Sequence, residues 1–237
     1  MRDPHKWQPI SRGVRISEWP VVTRPRERLL AGRPVSDVEL IAVLLGSGTR
    51  SRSALALAEH ALVSLGGPAG LARADGAALR AAGCGPASAA RLVAAIELGR
   101  RCLAASALGL PCDSPAAAAA ALAPHLSNRE RETLAVALLD RKRRLISVVP
   151  VYAGTVSGTT VRVGELFTEA VRRNASAILL AHNHPSGDPL PSPDDLRTTT
   201  DAVAAGRLLG IPVIDHLVFG AGRWHSLRER SGISFDE

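Results

Sequence analysis

The stretch AHNHPSGDPLPSPDD, residues 181–195, decides how the rest of the chain is read. An apolar segment, residues 177–180, precedes it, and a long Ala/Leu/Arg segment with helical spacing follows, so it reads as strand, loop and helix start. Side chains at i and i+2 of a strand share a face, which lets His182 and His184 present two imidazoles together. Asp195, in the first turn of the following helix, brings a carboxylate to the same point. Two imidazoles and a carboxylate suit a divalent metal such as zinc, and three protein ligands leave a fourth tetrahedral position for water.

Plainer readings compete with this one. Strand histidines commonly hydrogen-bond within a core, Pro-Ser-Gly-Asp-Pro is ordinary turn chemistry, and Ser192-Pro193-Asp194-Asp195 is an acceptable capping box. Their coincidence within one short stretch favours the metal: one zinc ion per chain, held by His182, His184 and Asp195. Asp188, in a Gly-Asp-Pro context, has a turn role, and His216 beside Asp215 is structural or supports the site from behind. His5, His60, His125 and His225 are isolated.

Moving outward, the region from residue 115 alternates strands and helices. Strands are expected at residues 133–139, 145–152, 177–180 and 212–219, with a short one near Trp224. Helices are expected at 163–174, with Leu166, Phe167, Ala170 and Val171 buried, and at 193–209. This predicts an α/β domain with a mixed sheet flanked by helices. Pro150 fits an edge or bulged position. Asp140-Arg141-Lys142-Arg143-Arg144 is the turn of the first hairpin. The alanine-rich run 116–122, opened by Ser114-Pro115, is read as a packed surface helix breaking near Pro124.

The N-terminal half reads differently. Residues 1–24 carry Pro4, Pro9 and Pro20 and little periodicity, an irregular leader. Residues 25–105 form a small all-α module: a helix at 25–30, a capping box at Ser36 before 40–45, and a helix over 53–65 with Leu55, Ala58, Leu62 and Leu65 on one stripe. Residues 79–101 then have a helix-hairpin-helix-like layout turning at Gly83 and Gly85. Such a turn points amides at a phosphate, so DNA is a possible ligand here, and an ordinary helical hairpin is the alternative. A linker at 104–113 leads to the second domain, 114–237.

Composition sets outer bounds. Hydrophobic residues at 46% supply a core, but aromatics at 3% argue against recognition of single strands by base stacking. The net charge of +7 suits a polyanionic partner, with Arg141, Lys142, Arg143 and Arg144 its densest cluster. Cys84, Cys102 and Cys112 form no CxxC pair, which fits reduced thiols in a cytoplasmic setting. No apolar run approaches the ~18 residues of a membrane span.

The motif His182-x-His184-Pro185, six residues, Ser192, two residues, Asp195 resembles the HxHP-x6-SxxD signature of the JAB/MPN domains, the JAMM metalloprotease motif. HNHPSGDPxPS, with IPVxDHxxxG at residues 211–220, resembles the RadC-like family specifically. The similarity covers residues 20–235 and includes Gly154-Thr155, Leu138-Leu139-Asp140, the Gly-Cys-Gly hairpin and the helix at 25–30. The resemblance implies a JAB/MPN-like fold and a zinc metallohydrolase cleaving peptide or isopeptide bonds of a protein or peptide substrate. It gives Ser192 the role of stabilising an oxyanion and requires a Glu as general base. Glu132, at the head of the first strand, is the first candidate, and Glu165, at the start of a helix, the second. Residues 147–150, where RadC-like chains often carry an acid, have none. The family's description as DNA repair proteins gives the alternative: a DNA-associated protein with a non-catalytic zinc site.

Overall fold

Thr133–Leu139 (β1) and Ala177–Asn183 (β3) are buried along their whole length. A strand covered on both faces has no reason to alternate polar with apolar, and TLAVALL does not. In a computed structural model that describes residues 16, 19–126, 131–154 and 161–235, these strands form the middle of a mixed sheet. Its order is β2-β1-β3-β4-β5, with β2 at Leu145–Ala153, β4 at Val213–Gly220 and β5 at Arg223–Ser226. β1 pairs antiparallel with both β2 and β3, β3 runs parallel to β4, and β4 is antiparallel to β5. Pro150 lies on the edge strand β2, next to a register shift opposite Leu134 and Ala135, where its missing N–H costs least.

Ten helices lie among the described residues: α1 Pro25–Leu30, α2 Asp37–Leu45, α3 Ala54–Ser64, α4 Pro68–Leu71, α5 Gly76–Ala81, α6 Pro86–Ser106, α7 Pro115–Leu126, α8 Val163–Arg172, α9 Pro193–Leu209 and α10 Leu227–Arg230. The chain divides into two compact units, one up to Leu98 and one from Gly99. In the second unit, odd-numbered β1 residues Ala135, Ala137 and Leu139 face α7, while Leu134, Val136 and Leu138 face α8 and α9. The expected mixed sheet flanked by helices, preceded by a helical region, is the fold.

Several local expectations need correction. The alanine-rich α7 is packed as expected, with Ala118, Ala119, Ala121 and Leu122 buried and Ala116 and Ala120 exposed, but it runs two residues past Pro124 to Leu126, 1% exposed, whose burial holds the last turn. Val171 is 59% exposed and leaves the stripe expected on α8. Residues 104–113 are not a free linker, because Gly109 donates to Leu145 O (2.8 Å), Leu145 to Leu110 O (2.9 Å) and Cys112 to Arg143 O (2.8 Å).

In the first unit, α2 opens with the expected capping box, in which Ser36 and Glu39 satisfy each other's amides. The buried stripe of α3 is Ala54, Leu57, Ala58 and Ala61, rotated from the expected one, with Leu55, Leu62 and Leu65 partly buried beside it. Small alanines let helices approach closely, so they take the centre. All three cysteines are free: Cys84 and Cys112 buried, Cys102 exposed. Most of the leader, and Thr155 of the family-like pattern, fall outside the described residues. No described helix is long and apolar enough to cross a membrane.

Candidate metal centre

His182 lies near the end of β3, between Leu134 of β1 and Val218 of β4. It is 2% exposed and faces α9, because it shares strand parity with Ile178 and Leu180. His184 follows the strand, where its amide donates to Phe219 O (2.8 Å). Its Nε2 comes within 2.9 Å of His182 Nε2. Asp195 enters from the first turn of α9, with carboxylate oxygens 3.3 Å from His182 Nε2 and 3.7 Å from His184 Nε2. The carboxyl of Glu132, on the approach to β1, offers an oxygen within 4.8 Å of the same two imidazole nitrogens.

Two sets of three therefore share the imidazoles, one completed by Asp195 and one by Glu132. Asp195 is the closer carboxylate and the better anchored: Ser192 donates its amide and its hydroxyl to Oδ2, each at 2.7 Å. Burial alone would raise the Asp195 carboxyl, but the His182 and His184 imidazoles and the Ser192 hydroxyl hold it well below the usual carboxylate range. The His184 imidazole is raised, first by its hydrogen bond to Asp195.

The donor chemistry suits a cation. His184 Nδ1 is 2.8 Å from Asp188 O, and a carbonyl only accepts, so Nδ1 carries a proton and Nε2, facing Asp195 and His182, is the atom that would ligate a metal. Imidazole nitrogens 2.9 Å apart, with a carboxylate within 3.7 Å of each, make a place for a positive charge. Nitrogen and oxygen donors in this mixture fit zinc.

Asn183, between the histidines, points its side chain the other way, to the segment carrying Glu132. Its Oδ1 accepts from Thr133 N (3.0 Å) and its Nδ2 donates to Arg131 O (3.2 Å), while Gly154 N donates to Glu132 O (3.0 Å). Glu132 is thus held through the backbone on each side. Reading the sequence missed Asn183; the available signal was its place opposite β1, invisible without the pairing.

Glu165 is directed elsewhere. The Tyr152 hydroxyl donates to its carboxylate and accepts from Arg162 N (3.1 Å), and Arg162 pairs with Glu165 at 3.8 Å. Asp188 keeps to its turn, its Oδ1 accepting from Leu190 N (3.2 Å). His216, read as structural or as supporting the site from behind, is in contact with His182 at 2.8 Å. A cavity of about 100 Å³ opens beside Glu132, His182 and Asp195, with Leu134, Tyr152 and Val161 as its apolar wall.

The residues expected to meet a polyanion lie apart from this centre in sequence and in kind. Asp140 Oδ1 accepts from Lys142 N and Arg144 N, each at 2.8 Å, which fixes the basic turn; Arg141, Lys142 and Arg144 are exposed and Arg143, with φ of 55°, is half-buried. Arg144 also donates to Gly109 O (2.9 Å). In the first unit, Gly83 (φ 89°) ends α5, its amide donating to Arg80 O (2.9 Å) and that of Cys84 to Leu79 O (3.0 Å). Those two amides are committed to the helix end, and Gly85 is the glycine adjoining the start of α6.

The sequence pattern of the RadC-like JAB domain matches residues 112–233, and the UPF0758 N-terminal pattern matches residues 16–90. The chain belongs to the RadC-like family. It is similar to a UPF0758 protein of Chloroflexus aurantiacus, 47% identical over 228 residues, covering 94% of this chain and 99% of the relative. A UPF0758 protein of Roseiflexus castenholzii is 44% identical over 226 residues, with 94% and 97% covered. One of Moorella thermoacetica is 42% identical over 225 residues, with 92% and 97% covered. Within this RadC-like chain, the JAB match spans every residue of the centre.

Proposed function

We propose that this RadC-like chain is a zinc-dependent hydrolase of peptide or isopeptide bonds, with His182, His184 and Asp195 holding one metal ion and Glu132 acting as general base. The observation that carries the reading is the convergence of His182, His184, Asp195 and Glu132 beside a small cavity. Zinc, when bound, supplies a Lewis acid that lets water ionise near neutral pH. Glu132 takes a proton from the attacking water as its oxygen adds to the substrate carbonyl carbon, and returns it to the amine as the C–N bond breaks. The Ser192 hydroxyl, 2.7 Å from the Asp195 carboxylate, steadies that ligand, and on turning away from it gives its one proton as a hydrogen bond to the developing oxyanion. Leu134, Tyr152 and Val161 keep bulk water away from one side.

The test is hydrolysis of a quenched peptide or isopeptide library by the zinc-loaded protein. Glu132→Gln should retain zinc and lose turnover about 100-fold or more, as expected for removal of a general base. Equal turnover in wild type and Glu132→Gln would remove Glu132 from the role.

A second reading, a DNA-associated protein with a non-catalytic zinc site, draws on the exposed Arg141, Lys142 and Arg144 at a turn fixed by Asp140. Duplex affinity should then fall steeply with salt, with a shallower slope once Arg141 to Arg144 are neutralised. Salt-insensitive binding would exclude it.

A further inference from the structure

We propose that His216 and Thr199 are positioning residues that fix His182 as the tautomer with Nδ1 protonated and Nε2 bare, ready to ligate a metal. The inference rests on the zinc reading of the centre, since a metal would take up the His182 Nε2–His184 Nε2 contact of 2.9 Å, and three contacts behind His182 then set its tautomer. Thr199 Oγ lies 2.6 Å from Asp195 O, and also 2.6 Å from His216 Nδ1. His216 Nε2 lies 2.8 Å from His182 Nδ1.

Each of these contacts needs one proton, because two lone pairs at such distances repel. Three protons are available: one on Thr199 and one on each neutral imidazole. Asp195 O only accepts, so the Thr199 hydroxyl donates to it. The Thr199 oxygen then accepts from His216 Nδ1–H, which leaves His216 Nε2 bare to accept from His182 Nδ1–H. His182 Nε2 is left with its lone pair pointing at the centre. If Thr199 donated to His216 instead, two oxygens would face each other at 2.6 Å without a proton. His216 is 1% exposed, and such burial disfavours a charged imidazole.

The placement of His216 depends on a defect in the sheet. Between Ile178 and Leu180 β3 advances two residues, while its partner β4 advances three, from Val213 to His216. That extra residue reverses the alternation: Ile214 and Leu217 face α7, and His216 turns to α9. Asp215 pins the bulge, its Oδ1 accepting from His216 N (2.6 Å) and Arg228 N (3.0 Å) and its Oδ2 from Ser226 Oγ (2.7 Å). Ligand histidines usually donate their second N–H to a carboxylate, carbonyl or water; here a second imidazole, itself oriented, takes that part.

Long-range proton–nitrogen correlation spectra of the histidine-labelled chain, with and without zinc, read the tautomers directly. His216 should show a protonated Nδ1 and a bare Nε2 near neutral pH. A protonated Nε2, or two protonated nitrogens, on His216 overturns the proposal. The zinc-loaded spectrum decides the relay: a folded wild type that takes up no zinc overturns the zinc reading and the relay together, whereas a zinc-loaded chain with the other His216 tautomer overturns the relay alone. Thr199→Val, isosteric but unable to accept, should bind zinc about 10- to 100-fold more weakly in chelator competition, and Thr199→Ser should restore affinity. Unchanged affinity in a folded Thr199→Val, or a Thr199→Ser as weak as Thr199→Val, contradicts it; should the valine variant not fold, the wild-type spectrum remains decisive.

Discussion

Ser192 and Asp195 satisfy each other at the start of α9. The Ser192 oxygen accepts from Asp195 N (3.2 Å), and the Asp195 carboxylate accepts from Ser192 N and Oγ (2.7 Å each). The capping box thus shares Asp195 with the proposed metal-ligand set: the cap that starts the helix also aims that carboxylate. Ser192→Ala should cost about 1 kcal/mol of stability from the lost cap and also weaken zinc binding. Denaturant unfolding of the metal-free protein, together with chelator competition, separates the two. A stability loss with no change in zinc affinity would leave Ser192 as a cap alone.

Asn183 bonds to the backbone around Glu132 from a position 4% exposed. Asn183→Ala removes both bonds and leaves the buried Thr133 amide without its side-chain acceptor, a cost of about 1–3 kcal/mol, while Arg131 O keeps the Thr133 hydroxyl (3.3 Å). The expected result is a lower unfolding midpoint and, in protein that remains folded, hydrolysis reduced more than zinc affinity, because Glu132 moves while His182, His184 and Asp195 stay. Loss of zinc and activity in equal proportion would contradict this division.

Asp215 is buried, and burial raises its carboxyl above the ordinary 3.8 despite the opposing bonds from Ser226, Arg228 and His216. The folded state thus holds this proton more tightly than the unfolded one. Its contribution to stability is full below pH 3.8 and lost as pH rises through the elevated folded value. Asp215→Asn keeps the shape and cannot titrate. The stability difference between Asp215→Asn and wild type should grow in favour of the variant as pH rises through that window; a difference independent of pH refutes it.

Much of the second unit was legible because its cues are local. Helix α9 was bounded by Ser192-Pro193 before it and Gly210 after it, and β1 by an unbroken apolar run, so both were placed to the residue. His182, His184 and Asp195 were found together since strand parity and a cap fix them within one stretch. What escaped depends on pairing between distant segments. The β4 bulge that turns His216 toward α9 has no mark in IPVIDHLVFG, whose plain alternation would put His216 with Ile214. Residues 109–112 looked like a linker because Gly109 and Pro111 break periodicity, yet they bond to 143–145. In α3 the leucine spacing pointed to a stripe through Leu55, Leu62 and Leu65, whereas Ala54, Ala58 and Ala61, small enough for close helix approach, take the centre with Leu57.

The central claim, a zinc centre built by His182, His184 and Asp195, is tested most directly by metal analysis of the folded protein after equilibration with zinc and removal of excess. The account predicts about one zinc per chain, retained by Glu132→Gln and lost by Asp195→Ala. A folded wild type without bound zinc, or an Asp195→Ala variant that holds zinc as tightly as wild type, would contradict it.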